Sequence, residues 1–105
     1  MLTITSSKLA SLLEESPSTI DMIDVRRVDE YTEVHIPGTK NIPLDSLPLR
    51  MSEIDREKQI IFICKSGGRS GQACELTESE WIHAYNLVWG MIDFEKSYPT
   101  RVIRS

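Results

Sequence analysis

The chain has 105 residues, of which 40% are hydrophobic and 27% are charged, and its formal net charge at pH 7 is -4. This length predicts a single domain over residues 1–105, and the composition is that of an ordinary soluble globular protein rather than a disordered one. The negative charge argues against general nucleic-acid binding, because phosphate contacts need a surplus of Lys and Arg. We therefore expect one hydrophobic core and one main site.

No apolar run approaches the roughly 20 residues that a membrane span requires, and the N-terminal stretch MLTITSSK lacks the basic and apolar regions of a signal peptide. We expect a cytoplasmic protein with no membrane partner. Two cysteines are too few for a disulfide scaffold, and with only two histidines they do not form a zinc pattern. We expect neither a metal nor a cofactor, which leaves thiol chemistry or core packing for the cysteines.

The first part of the chain alternates apolar strand patterns with helical ones. In order, these patterns predict a strand over 2–5, an amphipathic helix over 6–16, a strand over 19–25 and two helical turns over 28–34. Pro17 ends the first helix, and the two helical turns begin near Arg27 or Asp29.

Two prolines and a glycine in HIPGTKNIP predict a loop over 35–43. The remaining patterns predict, in order, a short strand over 41–44, a helix over 48–58, a strand over 59–64, a helix over 70–79, a strand over 84–88 and a helix over 91–97. The strand over 59–64 is apolar on both faces, as strands are inside a parallel sheet. The alternation predicts an α/β fold with a central, mostly parallel sheet flanked by helices.

The segment CKSGGRS, residues 64–70, joins this apolar strand to a helix. Cys64 therefore lies at the carboxyl end of a strand, where α/β proteins place their sites. Gly67 and Gly68 allow backbone angles that other residues avoid, so the turn can direct its N–H groups inward. The helix that follows adds a partial positive charge at its N-terminus. Together these features favour Cys64 as a nucleophile.

Charged side chains of the same loop bear on the ionisation of Cys64. Lys65 and Arg69 add positive charges, and such neighbours can lower a thiol pKa from about 8.5 to about 3.5–7.5. No histidine is adjacent in sequence, so the field of the loop is the more economical source of activation, with His35 as a residue that folding can bring close. The alternatives are that Cys64 only packs in the core and that Arg69 caps a helix or pairs with an acidic neighbour.

This loop and the segments on either side of it resemble the rhodanese family. CKSGGRS is similar to the active-site loop of single-domain members, with a cysteine, two variable residues, a glycine, one variable residue, an arginine and a serine. IDVRRVDEYTEVHIPGTKNIP resembles the first signature and NLVWGMIDF the last motif, so the resemblance covers about residues 19–95. The matching positions of the first signature are Asp24, Arg26, Glu30, Tyr31, His35, Ile36, Gly38 and Pro43.

The resemblance implies a rhodanese-like three-layer fold and a sulfurtransferase activity. A sulfane sulfur is then expected to pass from an anionic donor such as thiosulfate, through a persulfide on Cys64, to a thiophilic acceptor: cyanide in vitro, and a thiol or a protein in the cell. The loop residues expected to bind the substrate with their amides and cations are Lys65, Ser66, Gly67, Gly68, Arg69 and Ser70. The alternative within the family is a sulfur-relay or protein-binding module with slow small-molecule turnover.

Loop length distinguishes this chemistry from phosphate chemistry. Cys64 and Arg69 enclose four residues, whereas related cysteine phosphatases have five, which gives a loop that can wrap a tetrahedral phosphate. The shorter loop resembles the cradle of the sulfurtransferases. A phosphatase or an arsenate reductase is therefore the weaker hypothesis.

Several other residues have a structural interpretation. Cys74 falls among apolar residues of the predicted helix, which favours core packing over a resolving thiol for Cys64. Asp24 and Arg26 are expected to hold loops through hydrogen bonds rather than to act in catalysis. His35 and Gly38 are expected to form the HIPG turn.

The chain departs from the family pattern at four positions. Val34 and Trp89 stand where glycines are usual, Thr39 where alanine is common and Phe94 where tryptophan is usual. None lies in the cysteine loop, but Trp89 belongs to a segment that lies near the active site in the family and is expected to narrow access or alter the acceptor. Both Trp81 and Trp89 are assigned to packing.

Overall fold

The structure is a computed structural model that describes residues 1–105. The helices and strands follow in the order β1 (Leu2–Ile4), α1 (Ser6–Glu15), β2 (Ile20–Asp24), α2 (Val28–Glu33), β3 (Val34–His35), β4 (Lys40–Asn41), β5 (Gln59–Ile63), α3 (Gly68–Glu78), β6 (Ala84–Leu87), α4 (Gly90–Ser97) and β7 (Ile103–Arg104). Short 3-10 helices cover Pro17–Thr19, Leu44–Leu49, Met51–Glu53 and Pro99–Arg101. No helix is both long and apolar enough to cross a bilayer.

Five of the strands form one parallel sheet in the order β1-β6-β5-β2-β4. In the middle of the sheet, Ile61 of β5 lies between Met22 of β2 and Tyr85 of β6. Because all five strands run in the same direction, their carboxyl ends meet at one edge of the sheet. This arrangement confirms the predicted α/β fold with a central parallel sheet.

The core consists of one apolar cluster on each face of the sheet. Alternation along β5 places Ile60 and Phe62 in the first cluster and Ile61 and Ile63 in the second. Helix α3 covers the first face, and α1 and α4 cover the second. Cys64 continues the alternation on the face of Ile60 and Phe62, so its side chain lies on the side of α3.

The predicted helix over 48–58 is wrong. In its place are the two short 3-10 helices Leu44–Leu49 and Met51–Glu53, followed by an irregular segment. Pro48 removes a backbone donor in this region, and the segment is held to the sheet by Asp21, which accepts hydrogen bonds from the Asp55 amide and the Lys40 ammonium. A polar anchor, and not a helical apolar face, therefore determines its path.

The chain between α2 and the first 3-10 helix that follows it also differs from expectation. The short strand predicted over 41–44 is instead Lys40–Asn41, and Leu44 begins a 3-10 helix. At the start of the predicted loop, Val34–His35 pairs in antiparallel fashion with Ile103–Arg104, a strand that the sequence patterns did not predict. Two-residue strands carry no periodicity, so only their partners reveal them.

Candidate active site

Cys64 follows β5 directly at the carboxyl edge of the sheet, as the sequence patterns predict. The residue is only 1% exposed and belongs to the apolar cluster on the α3 side. The apolar cluster packs against Cys64 on one side, so a substrate would have to reach the sulfur from the side of the loop 64–70.

Gly67 shapes the turn that covers this sulfur. Its backbone N–H donates a hydrogen bond to Cys64 Sγ at 3.0 Å. Gly67 has a φ of 107°, in the left-handed region that favours glycine, and it caps the N-terminus of α3. Gly68 was also expected to need backbone angles that other residues avoid, but its φ is not in the left-handed region and it is the first residue of the helix. Of the two loop glycines, only Gly67 therefore has backbone angles that require a glycine.

Helix α3 begins at Gly68, two positions earlier than predicted, so Arg69 and Ser70 belong to its first turn. This start turns the Ser70 side chain inward. Ser70 is fully buried, and its Oγ lies 3.2 Å from Cys64 Sγ. The helix thus supplies a second hydrogen-bond donor to the sulfur.

These contacts set the ionisation of the thiol. Burial raises the pKa of Cys64, but hydrogen bonds from the Ser70 hydroxyl and from the backbone N–H groups of Ser70, Gly67 and Ser66 outweigh it, and the net pKa lies below the ordinary value. The donors of the loop, rather than nearby free cations, account for this direction. The arrangement favours a thiolate at the floor of the loop.

Arg69 does not face the sulfur as a free cation. Its guanidinium forms a bidentate ion pair with the Glu30 carboxylate of α2, at 2.6 and 3.0 Å. Arg69 lowers the pKa of Glu30 to about 2, and Glu30, with a smaller effect from the Cys64 thiolate, raises the pKa of Arg69. The sequence left open that Arg69 pairs with an acidic residue, and the structure identifies that residue as Glu30.

Lys65 is the cation of the loop that stays free. It is exposed and takes part in none of the ion pairs. With Ile92 of α4, Lys65 lines a cleft of about 380 Å³ that also borders α2. Four cationic and four acidic side chains line this cleft, and Lys65 is the one of its cations that lies in the cysteine loop.

The N-terminus of α4 fixes the loop from the opposite side. The Met91 N–H donates to the Cys64 carbonyl at 2.8 Å, and the Ile92 N–H donates to the Lys65 carbonyl at 3.1 Å. Gly90 makes this approach possible: a Cβ at that position would lie 2.4 Å from the Cys64 oxygen, and its φ is 54°. The last family-like motif of the sequence is thus a support for the cysteine loop.

The residues with a structural interpretation are found in structural roles. Arg26 Nη2 donates to the Asp24 carboxylate at 2.7 Å, with both side chains buried, and also to the Val34 carbonyl. The His35 ring stacks on Tyr31, and its Nδ1 lies 2.8 Å from the Tyr31 carbonyl oxygen. These contacts hold the segments around the site.

Cys74 packs in the core, as predicted. It is 5% exposed, and burial raises the pKa of its thiol to about 11, so it stays protonated at neutral pH. No three His, Cys, Asp or Glu side chains are grouped to hold a metal ion. Cys64 is therefore the cysteine whose surroundings favour ionisation.

The assignment of the two tryptophans to packing is wrong. Trp81 is 85% exposed and Trp89 is 69% exposed. Both have a left-handed backbone, with φ of 63° and 64°, at the turns that precede β6 and α4. At these turns the chain changes direction at the surface, and the indoles extend into solvent.

Sequence reasoning missed three residues of the site. Glu30 was matched to a family signature but not recognised as the partner of Arg69. The second, Asn86 of β6, donates from Nδ2 to the Gly67 carbonyl at 3.1 Å, and its Oδ1 lies 2.5 Å from Ser70 Oγ. The third is Gly90, whose only signal was its place in NLVWGMIDF.

Comparison with known proteins gives one consistent family. The model of the family described as rhodanese-like domain matches residues 5–97. A sulfurtransferase of Allochromatium vinosum is 32% identical over 90 residues, which are 85% of this chain and 83% of that protein. The Bacillus subtilis protein YrkF, which bears the name of a sulfur carrier protein, is 35% identical over 81 residues. That match covers 76% of this chain but only 44% of YrkF.

Solved structures agree with the sequence relatives. A rhodanese-like domain protein of Staphylococcus aureus superposes with a TM-score of 0.84 at 31% identity, over 90% of this chain and 91% of that one. The residues matched by the family model, 5–97, include the loop that carries Cys64. On the family match, the sequence relatives and the fold, this chain belongs to the rhodanese-like domain family.

Proposed function

We propose that the protein transfers sulfane sulfur through a persulfide on Cys64, from an anionic donor such as thiosulfate to a thiophilic acceptor. The observation that carries this proposal is the surroundings of Cys64 Sγ, which accepts a hydrogen bond from the Gly67 N–H at 3.0 Å and lies 3.2 Å from the Ser70 hydroxyl. These donors stabilise a thiolate, and the same donors would stabilise the terminal sulfur of a persulfide.

The first half of the reaction loads the cysteine. The Cys64 thiolate attacks the outer sulfur of thiosulfate, an S–S bond forms, and the bond to the sulfite sulfur breaks with its electron pair leaving on sulfite. Lys65, exposed and without an ionic partner, is the cation that attracts the anionic donor. Arg69 has its charge compensated by Glu30, so its part is to hold the loop in shape.

The second half regenerates the thiolate. A nucleophilic acceptor, cyanide in the assay or a thiol or protein in the cell, attacks the terminal sulfur, and the electron pair of the broken S–S bond returns to Cys64. Ser66, Gly67 and Ser70 supply backbone or hydroxyl donors to Cys64 Sγ and would supply them to the transferred atom, with Gly68 beside them at the start of α3. No cofactor takes part in either half of this scheme.

The depth of Cys64 supports a sulfur atom as the transferred group. With the residue 1% exposed, a slender terminal sulfur can reach Sγ more readily than a tetrahedral phosphate or arsenate. The four-residue spacing between Cys64 and Arg69 favours the same group. Phosphate-ester hydrolysis that depends on Cys64 would contradict this argument.

The test follows one sulfur atom by intact mass. Wild type incubated with thiosulfate is expected to gain one sulfur and to lose it to cyanide with release of thiocyanate, and Cys64→Ser is expected to gain none. Cys74→Ser is the matched control, because it also removes a thiol but is expected to load like wild type. A Cys64→Ser protein that still forms thiocyanate at the wild-type rate would overturn the proposal.

A sulfur relay to a partner protein is the second candidate. Trp89 and Ile92, three positions apart at the start of α4, have exposed apolar side chains beside the cysteine loop, which favours contact with a partner protein. The sulfur-carrier name of YrkF favours the same candidate. A persulfide that forms at full stoichiometry, with slow release to cyanide and small thiols, would favour the relay.

A further inference from the structure

Asn86 lies on β6 next to β5, opposite Phe62, and its side-chain amide extends to the cysteine loop. Its Nδ2 donates to the Gly67 carbonyl at 3.1 Å. Only the NH2 end of the amide can donate, so this bond orients the Oδ1 end toward Ser70, where it lies 2.5 Å from Oγ. Asn86 therefore contacts Gly67 and Ser70, two of the residues that supply hydrogen bonds to the sulfur, and forms no hydrogen bond with the sulfur itself.

The Ser70 hydroxyl has one proton and two neighbouring acceptors. Its Oγ is 3.2 Å from Cys64 Sγ and 2.5 Å from Asn86 Oδ1. Ser70 is fully buried, so its hydroxyl proton is not shared with bulk water, whereas Asn86 is half-buried. The two acceptors must compete for this proton.

The outcome of that competition depends on the state of Cys64. A neutral thiol is a weak acceptor, so the hydroxyl then donates to the amide oxygen of Asn86, and the S–H can donate to Ser70 Oγ. A thiolate is a charged acceptor and forms the stronger hydrogen bond, so the hydroxyl then turns toward the sulfur. Asn86 Oδ1 loses its donor in this second state.

We propose that Asn86 is a positioning residue for the Ser70 hydroxyl. While Cys64 is a thiol, the hydroxyl donates its hydrogen bond to Asn86 Oδ1. When Cys64 ionises, the hydroxyl rotates and donates its hydrogen bond to the sulfur, with its proton still on Ser70 Oγ. The thiol proton itself leaves to solvent, and no other bond changes. The inference rests on the proposed function only in that Cys64 works as an ionised nucleophile. It is independent of the identity of the sulfur donor and acceptor.

The test is the pH dependence of Cys64 alkylation by iodoacetamide in the full chain, read by the mass of the peptide that contains Cys64. Asn86→Leu has a similar size but no acceptor, so the hydroxyl is free to serve the thiolate. The alkylation midpoint is expected to fall by roughly half to one pH unit, the size of one hydrogen bond. Ser70→Ala is expected to raise the midpoint.

The double variant separates the proposed role from simple bracing of the loop. In a Ser70→Ala background, Asn86→Leu is expected to cause no further fall of the midpoint, because the contested proton is gone. If Asn86 only braces the loop through the Gly67 carbonyl, Asn86→Leu raises the midpoint, by the same amount with or without Ser70. Either of these results would overturn the proposal.

A second variant keeps the test decisive if Asn86→Leu does not fold. Asn86→Asp retains an acceptor for Ser70 and strengthens it with a charge, so the midpoint is expected to rise, and to rise less when Ser70 is replaced by Ala. An equal rise in both backgrounds would assign the effect to charge alone and overturn the proposal.

The surrounding charges are the same in wild type, Asn86→Leu and Ser70→Ala. The charged side chains on the strands, helices and loops around Cys64 include Asp21, Asp24, Arg26, Asp29, Glu30, Glu33, Lys65, Arg69, Glu75, Glu78, Asp93, Glu95 and Lys96. Alkylation does not require sulfur transfer, so the two proposals fail separately. If thiosulfate loads no sulfur but the midpoints shift as expected, the proposed function fails and the role of Asn86 stands.

Discussion

The Arg69 guanidinium and the Glu30 carboxylate form a bidentate ion pair between residues 39 positions apart in the chain, with Nη1···Oε1 at 2.6 Å and Nη2···Oε2 at 3.0 Å. The pair joins the first turn of α3 to α2, and Glu30 also accepts a hydrogen bond from the backbone N–H of Arg27, the N-cap of α2. The cysteine loop is thereby connected to a helix start on the other side of the cleft.

Glu30→Gln tests the energetic weight of this pair. The folded pKa of Glu30, about 2, lies below its ordinary value of 4.5, so its contribution to stability is present above pH 4.5 and is lost as the pH falls toward 2. At pH 7 the variant is expected to unfold about 1–2 kcal/mol more easily, a value reduced for the partial exposure of the pair. Urea unfolding at several pH values measures it.

Glu33→Gln is the matched control for that experiment, because Glu33 is exposed on the same helix and has no ionic partner. Its effect is expected to stay within about 0.5 kcal/mol at every pH. A difference between wild type and Glu30→Gln that does not shrink below pH 4.5 would contradict the ion-pair explanation.

Gly90→Ala is expected to be severely destabilising. The added Cβ would overlap backbone oxygens of Cys64 and Lys65, at 2.4 and 2.6 Å, and the φ of 54° is unfavourable for alanine. We expect a loss of about 3 kcal/mol or more and a fall of the melting temperature of more than about 10 °C. Gly68→Ala is the control, since no atom lies within 4 Å of its Cβ; equal losses for the two variants would refute the steric argument.

Trp81→Gly is expected to stabilise the protein. Trp81 has a φ of 63° and is 85% exposed, so glycine relieves the left-handed strain at little loss of packing. We expect a gain of about 1 kcal/mol and a melting temperature about 4 °C higher. Trp81→Ala removes the same indole but keeps the strain, so it should show no such gain; a gain of equal size for alanine would mean that the indole, and not the backbone, is unfavourable.

The two cysteines are expected to differ strongly in reactivity. The hydrogen bonds around Cys64 hold its pKa below the ordinary value, whereas burial raises that of Cys74 to about 11. At pH 7.5, iodoacetamide should modify Cys64 at least about 100-fold faster than Cys74 in the folded protein. Peptide mass spectrometry over time gives both rates, and comparable rates would contradict the assigned environments.

The sequence patterns predicted the parts of the fold that carry periodicity. Strand β5, apolar on both faces, and the amphipathic helix α1 follow directly from burial of their apolar residues. The segment over 48–58 was mispredicted because a single buried carboxylate, Asp21, directs it from a distant strand. Local composition contains no sign of such an anchor.

The same distinction applies to the candidate site. Cys64 and Gly67 belong to one short loop, so their juxtaposition is a local property that sequence can predict. The contacts of Asn86 depend on β6 lying beside β5, which is a property of the whole sheet. The exposure of Trp89 escaped prediction although this residue stands where the family usually has glycine, the residue that a left-handed backbone favours.

The order of the strands has a consequence for how the chain folds. Strand β2 is buried along its whole length, yet before β5 is available its only partner is the two-residue β4. Strand β1 pairs with β6, so it has no partner until residues 84–87 have also been synthesised. During synthesis, the apolar segments of the first half therefore stay exposed until residues 59–63 have left the ribosome, and we expect late, cooperative folding with a period of susceptibility to aggregation and chaperone binding.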